Sequence, residues 1–364
     1  MAYMAHGVIA RAKQAPVEVA EIVVPDPGFG EVLVRVQASG VCETDLNHRD
    51  GKVGGGFPFL LGHEGAGVVE AVGDGVTDVV PGDFVILHWR AVCGACRACR
   101  RGKPTDCLSP LTAGRPTTLA DGTPLTPVLG LGTLADKVLV HQRQCIRTDP
   151  GTAPVTAALL GCGVTTGVGA ALHTGGVQRG DSVVVIGCDT IGCAAVAGAR
   201  LGGATIIIAA DDDPRKLGWA EHFGATHTLE NTVDLVPRVR ELTDGFGADV
   251  VLDAMGGLDT WKQALRVRAQ AGMLVMLGLP APELILDIAL VELRAPGGSL
   301  ASAWYGDSLP TRDIPALAAL HRQGQLDLDA FVTETIALTQ VEKALEKLRH
   351  REVLRSVVIL EPAG

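Results

Sequence analysis

The sequence has no stretch of about 20 uninterrupted apolar residues, the length a bilayer-spanning helix needs. Its opening, MAYMAHGVIARAK, lacks the apolar run of a signal peptide. A soluble, intracellular protein in the cytoplasm is therefore expected. No block of Lys and Arg interrupts the net charge of −10, which argues against nucleic acid or an anionic membrane as a partner. Low-complexity segments and internal repeats are also missing, so Gly 46 and Pro 20 read as many tight turns. What is present is a chain of 364 residues, 47% hydrophobic and 20% charged. That exceeds what one core usually serves, and two domains are expected.

The pattern along the chain is α/β. Residues 1–163 read as short β-branched strands bounded by Gly, Pro and Asp, among them GEVLVRVQASGVC (30–42), EGAGVVEAVG (64–73) and GDFVILHW (82–89). They suggest a barrel-like antiparallel unit. Residues 164–303 alternate strand and helix. SVVVIG (182–187) and TIIIAAD (205–211) read as strands, IGCAAVAGARLG (191–202) and PRKLGWAEHFG (214–224) as helices. ADVVLDAM (248–255), GMLVMLGL (272–279) and GGSLASAW (297–304) continue the strands, with a helix expected over WKQALRVRAQAG (261–272). Such alternation implies a parallel sheet covered on both faces, with a doubly wound dinucleotide fold as the leading candidate. The tail, 304–364, returns to helix, ends in the strand VLRSVVIL, and is expected to rejoin the first domain.

Nine cysteines without a secretion signal read as metal ligands or buried thiols, because cytosolic thiols stay reduced. Cys145, Cys188 and Cys193 lie in apolar surroundings and read as small buried hydrophobes. Cys93, Cys96, Cys99 and Cys107 crowd into CGACRACRRGKPTDC. Four thiolates can close a tetrahedral zinc with no open position, which is a structural site. A redox CxxC would need a thioredoxin-like context that is absent here. Cys42, His63 and Cys162 supply two further thiolates and an imidazole. Three ligands leave a fourth position open to water or a substrate oxygen, the catalytic arrangement.

GVCETDL, GHEGAGVVEAVG, the four-cysteine lobe and GCGVTTGVGA together resemble zinc-dependent medium-chain alcohol dehydrogenases over nearly the whole chain. VVPDPGFGEVLV, FPFLLGHE, GDFVILHWRAVCGACRACRRG, LADGTPLTPVLGLG, LTDGFGADVV, SAWYGD and VLRSVVIL look most like the mycothiol-dependent formaldehyde dehydrogenase subgroup. The resemblance implies a GroES-like β-barrel catalytic domain (1–163 and 304–364) and a Rossmann cofactor domain (164–303). It also implies two zinc ions, NAD, a small-molecule substrate and a homodimer or homotetramer. Cys42, His63 and Cys162 match the catalytic zinc ligands, and Asp45 and Glu64 match carboxylates behind them. Thr44 matches the hydroxyl that takes the substrate proton, Trp89 a wall of the substrate pocket, and Arg355 a pyrophosphate-binding arginine. Thr166, Ile191, Lys216, Leu277 and Leu279 fall at cofactor-contact positions.

Three departures stand against that pattern. The Rossmann turn reads Gly187-Cys188-Asp189-Thr190-Ile191-Gly192, with Asp189 in place of the second glycine. Glu43 stands where relatives carry Arg or His toward the pyrophosphate. Asn47 stands where they carry the relay histidine, with His48 displaced by one, and Asn cannot cycle protons as His can. Asp211 ends the next strand, where a carboxylate binds the ribose 2′-hydroxyl, and Asp212 and Asp213 would repel a 2′-phosphate. Two carboxylates, Glu43 and Asp189, are expected beside a dianion, at a cost of about 4 kcal/mol each at ~4 Å. The leading expectation is an NAD-dependent oxidoreductase acting on an alcohol, aldehyde or thiol adduct. Its alternatives are a non-redox zinc Lewis-acid enzyme (lyase, isomerase or hydrolase) and a binding protein that keeps its metals for the fold.

Overall fold

The computed structural model describes residues 2–149, 151–230, 235–281, 283–294 and 297–360. They divide into two compact units, Met1–Cys162 with Leu309–Gly364, and Gly163–Ser308. Residues 304–308 thus group with the second unit, where Ser308 Oγ donates to the Thr165 carbonyl at 3.2 Å.

In the first unit, the strand Glu31–Val41 is the organising element. Its β-branched run suits a pleated, buried surface, and it pairs antiparallel with Glu64–Val72, Lys137–His141 and Ser356–Ile359. Register shifts at Leu33/Val34 and Val36/Ala38 bend it, as extra residues in a ladder do. A seven-stranded and a five-stranded sheet enclose one aliphatic core that includes Ile9, Leu33, Val36, Leu61 and Leu134. Most pairings are antiparallel, as expected. Phe59–Leu60 with Thr126–Pro127 and Glu334–Ile336 with Ser356–Ile359 run parallel instead. The long segments between these partners leave room for the crossover that a parallel pair requires.

The second unit is a six-stranded, all-parallel sheet. Counting its strands in chain order from Ser182–Ile186, the spatial order is 3-2-1-4-5-6, the order of doubly wound dinucleotide folds. Sequence pattern had missed the edge strand His227–Glu230 and the helix Leu235–Leu242. The helix expected over 261–272 is Leu258–Val267, and Arg268 already belongs to the strand Arg268–Met276. Arg268 is buried and donates to the carbonyls of Gly272 and Ser299 at 3.3 and 3.0 Å. These bonds outweigh the helical propensity of the RVRAQA run. No single helix among the described residues is long and apolar enough to cross a membrane.

Candidate metal centres and dinucleotide turn

Cys42 follows the bent strand Glu31–Val41 and caps the helix Glu43–Arg49. One turn in, the fully buried Asp45 accepts from the backbone N–H of Cys42 at 3.1 Å and of Gly62 at 2.8 Å. Its Oδ1 also faces His63 Nδ1 at 3.2 Å. A carboxylate only accepts, so Nδ1 carries a proton toward Asp45, and in the neutral ring Nε2 carries the free electron pair that a metal would take. That Nε2 is buried with no partner of hydrogen-bonding geometry. The donor atoms of Cys42, His63, Glu64 and Cys162 lie within 4.8 Å of one another. Two thiols and an orphaned imidazole nitrogen converging in the interior are a donor set that fits zinc.

The charges of this cluster are interdependent. A hydrogen bond from Cys162 holds the Cys42 thiol well below the ordinary range against burial, helped by the charges of Arg355 and His63. The same bond, with burial, pushes Cys162 well above it. For His63, burial opposes protonation, but Asp45 and the Cys42 thiolate outweigh it and raise its pKa.

Glu64 is fully buried, and its Oε1 meets Arg355 Nη2 at 3.3 Å. Arg355 is buried too and donates from Nη1 to the Val41 carbonyl at 2.9 Å. The guanidinium that the family resemblance assigns to a pyrophosphate therefore stands on Glu64, beside the thiolates. Breaking a buried pair of this kind costs about 3–5 kcal/mol, because the survivor is left charged and unpaired. Two glycines that motif reading overlooked make the site possible. A Cβ on Gly40 would stand 2.2 Å from Glu64 Oε2, and one on Gly62, at φ +99°, would stand 2.1 Å from the Leu134 nitrogen. Both lie inside recognised motifs, yet their necessity comes from residues distant in sequence.

The remaining residues of this region take ordinary positions. Thr44 is half-buried, and its carbonyl accepts from His48 Nδ1 at 2.8 Å. His48 is buried edge-on against Phe59, with ring centroids 5.3 Å apart. Asn47 is half-buried and offers its carbonyl to Lys52 N–H at 2.9 Å. Glu43 is exposed on the first turn of its helix. Trp89 packs on the barrel core with the Arg90 guanidinium 5.6 Å from its ring centroid.

The four-cysteine lobe is closed. Its sulfur pairs stand 3.5 Å (Cys96–Cys99), 3.6 Å (Cys93–Cys107) and 4.0 Å (Cys93–Cys99 and Cys96–Cys107) apart. A tetrahedron with zinc–sulfur bonds of ~2.3 Å has edges of about 3.8 Å, so these donors also fit the metal. Backbone N–H groups of Ala95, Cys96, Leu108 and Cys93 point at the sulfurs at 3.3–3.4 Å. The backbone groups of Cys99 and Leu108 bring Cys96 down to about 6. Arg90 ties the lobe to the barrel through the carbonyls of Thr105 and Cys107.

In the second unit, the turn after Ser182–Ile186 needs glycine at two of its three signature positions. Gly187 has φ +90°, and a Cβ on Gly192 would lie 1.8 Å from the Gly187 carbonyl oxygen. Asp189, by contrast, has φ −73° and ψ −174°, which any residue adopts. It occupies the N-cap of the helix Thr190–Gly202 without capping it. Its carboxylate pairs with the ammonium of Lys216, whose side chain is fully buried. One of the two repulsive charges expected from the sequence, Asp189, is therefore matched by a cation. Asp211 is buried at the end of its strand and accepts from the N–H of Cys188 at 2.7 Å and of Asp213 at 3.0 Å. Burial raises its pKa above the ordinary value. Asp213 pairs with Arg215, while Asp212 is exposed. Ile191 is half-buried on the helix after the turn, Thr166 is buried in the helix Gly163–Gly169, Leu277 is half-buried and Leu279 is exposed.

Comparison with known proteins agrees with this geometry. Residues 28–150 match the model of the alcohol dehydrogenase GroES-like domain, and residues 190–321 that of zinc-binding dehydrogenases. The chain is 35% identical over 354 residues to putative alcohol dehydrogenase D of Mycobacterium tuberculosis, covering 94% of this chain and 96% of that one. It is 34% identical over 363 residues to S-(hydroxymethyl)glutathione dehydrogenase of Escherichia coli, covering 96% and 98%. Among solved structures, an alcohol dehydrogenase zinc-binding domain protein from Burkholderia ambifaria superposes with a TM-score of 0.92 at 33% identity, with full coverage of both chains. Benzyl alcohol dehydrogenase from Acinetobacter calcoaceticus gives 0.91 at 28%, covering 99% of this chain and 100% of that one. With a GroES-like barrel, a Rossmann unit and two zinc-fitting donor sets, the chain belongs to the zinc-binding alcohol dehydrogenase family and is an oxidoreductase of that type.

Proposed function

We propose that the protein transfers hydride between NAD and a primary alcohol, an aldehyde or a hydroxymethyl adduct of a thiol. The observation that carries this is the buried trio Cys42, His63 and Cys162, with His63 Nδ1 held by Asp45 and Nε2 left open. Bound zinc supplies a Lewis acid for the substrate oxygen, and a nicotinamide supplies or takes the hydride. The chain's own residues fix the rest. Asp45 sets the tautomer of His63, and Arg355 holds Glu64 in place beside the thiolates. Thr44 is assigned the hydroxyl that receives the substrate proton. His48, with Nδ1–H given to the Thr44 carbonyl, has Nε2 as its acceptor and is the relay in place of Asn47. Trp89 is assigned the pocket wall.

NAD rather than NADP is supported by the buried Asp211, with Asp212 and Asp213 beside it. Thr166, Gly187, Ile191, Gly192, Leu277 and Leu279 are proposed to contact it. The thiol adduct is supported by the S-(hydroxymethyl)glutathione dehydrogenase relatives, and mycothiol is the first thiol to try, on the motif resemblance. None of the nine cysteines forms a disulfide, which supports a reducing, cytoplasmic setting. A homodimer or homotetramer is proposed on the same resemblance. Of the three departures behind the non-redox alternative, Glu43, Asp189 and Asn47, the Lys216 pair compensates Asp189.

The experiment is titration of the purified zinc protein with NADH and NADPH. Turnover of NAD is then measured with benzyl alcohol, with formaldehyde plus glutathione and with formaldehyde plus mycothiol. Tighter NADH binding and turnover of at least one substrate are expected. Tighter NADPH binding overturns the cofactor assignment, and adduct turnover no faster than that of the free alcohol overturns the thiol assignment.

A further inference from the structure

The second glycine of a Rossmann turn lets a pyrophosphate approach the backbone, and here a carboxylate occupies that position. Aspartate is among the strongest helix N-caps, yet Asp189 caps nothing and reaches Lys216 instead. Its side chain is 52% exposed, while that of Lys216 is 0% exposed. Lys216 lies on the first turn of the helix Pro214–Phe223, so its aliphatic stem crosses the interior to bring an ammonium up under the turn. A buried ammonium requires an anionic partner. The other nearby carboxylate, Asp211, accepts two backbone N–H bonds and feels the Lys216 charge, but the ion pair with Lys216 is made by Asp189.

We infer that Asp189 and Lys216 act as one charge-neutral unit, which lets this turn accept a dinucleotide without its second glycine. The lysine cancels the carboxylate that would otherwise face the pyrophosphate, and the carboxylate stabilises the buried lysine. Each residue is then needed only because the other is present. The inference rests on the dinucleotide reading above.

A double-mutant cycle tests it, with NADH affinity from calorimetry and melting temperature as independent readouts. Lys216→Met exposes an unpaired carboxylate and is expected to weaken NADH at least about tenfold, a loss of ~1.4 kcal/mol. Asp189→Gly in that background is expected to restore affinity to within about threefold of the parent. Asp189→Gly alone removes the ammonium's ion-pair partner and should lower the melting temperature, which the double variant recovers. Asp189→Asn is the isosteric counterpart and should rescue in the same way. If Lys216 instead contacts the dinucleotide directly, Lys216→Met costs the same factor with Asp or Gly at 189, and the inference is overturned. If Lys216→Met alone does not fold, rescue of folding by Asp189→Gly supports the pair, and a double variant that stays unfolded overturns it. A parent that binds no NADH overturns the dehydrogenase reading and this inference together, whereas a binding parent with additive losses overturns the inference alone.

Discussion

The cysteines of the lobe come from one short stretch, Cys93 to Cys107, and three of the four are partly exposed. Cys42, His63 and Cys162 come from three distant places and are all buried. The lobe closes its donors with local backbone, N–H groups of the same loop pointing at the sulfurs. The other site takes its geometry from elements far apart in the chain: Asp45 on one helix, Gly62 beside the histidine, and Arg355 beyond the last helix. A closed metal site can be encoded by spacing. One that leaves a coordination position open has to be held by its surroundings.

The largest effects should separate the two sites. Cys162→Ser is expected to abolish turnover and halve the zinc content while the melting temperature stays close to that of the parent. Cys99→Ser is expected also to lose one zinc but to lower the melting temperature markedly, since metal binding in such a lobe is folding free energy. Elemental analysis alongside calorimetric melts reads both, and equal melting temperatures would erase the distinction. Next, Asp45→Asn keeps every ligand but can present an amide N–H to His63. Loss of a partner behind a metal ligand typically costs 10–100-fold in affinity or activity, so zinc at the buried site should exchange faster and turnover fall by about that factor. Retention of full activity would mean that His63 is positioned by the backbone alone.

The lobe was legible because its four ligands share one stretch, and the parallel sheet of the Rossmann unit was legible in the alternation of apolar strand and helix, although its edge strand His227–Glu230 was not. Arg355 shows what local patterns miss. Its motif fits an anion-binding arginine, but only the pairing of Ser356–Ile359 with Glu31–Val41 puts it on Glu64. The pairing of Asp189 with Lys216 is hidden from the sequence because Lys216 lies on the helix Pro214–Phe223, and no spacing rule joins the two. The helix boundary at Val267 was misplaced for a similar reason, since the bonds that hold Arg268 in a strand reach to Ser299.

A smaller effect concerns the segment joining barrel to lobe. Burial depresses His88 from its ordinary 6.5 to about 3, with both ring nitrogens buried and without a hydrogen-bond partner. The unfolded chain therefore takes up a proton below pH 6.5 that the folded chain refuses until about pH 3. Stability contributed by the neutral ring is intact above 6.5 and declines as pH falls through that window, by up to about 1.4 kcal/mol per pH unit. His88→Leu should flatten the denaturant-derived stability profile between those limits, and an unchanged slope would place the acid sensitivity elsewhere. The smallest effect is expected at Glu43. It is exposed, so solvent and salt screen its charge, and Glu43→Gln should change NADH affinity by less than about threefold, as titration at physiological salt would show. A tenfold gain would reinstate the repulsion that its position in the motif suggested.

The strand Ser356–Ile359 also imposes an order in time. Translation proceeds at about 5–20 residues per second, so on the order of 15–60 s separate the synthesis of Glu64 from that of Arg355. During that interval the nascent barrel carries Cys42, His63 and Glu64 without the guanidinium that balances them, while the lobe has all four of its cysteines as soon as Cys107 emerges. The order of synthesis therefore completes the lobe's ligand set long before the last partner of the buried site.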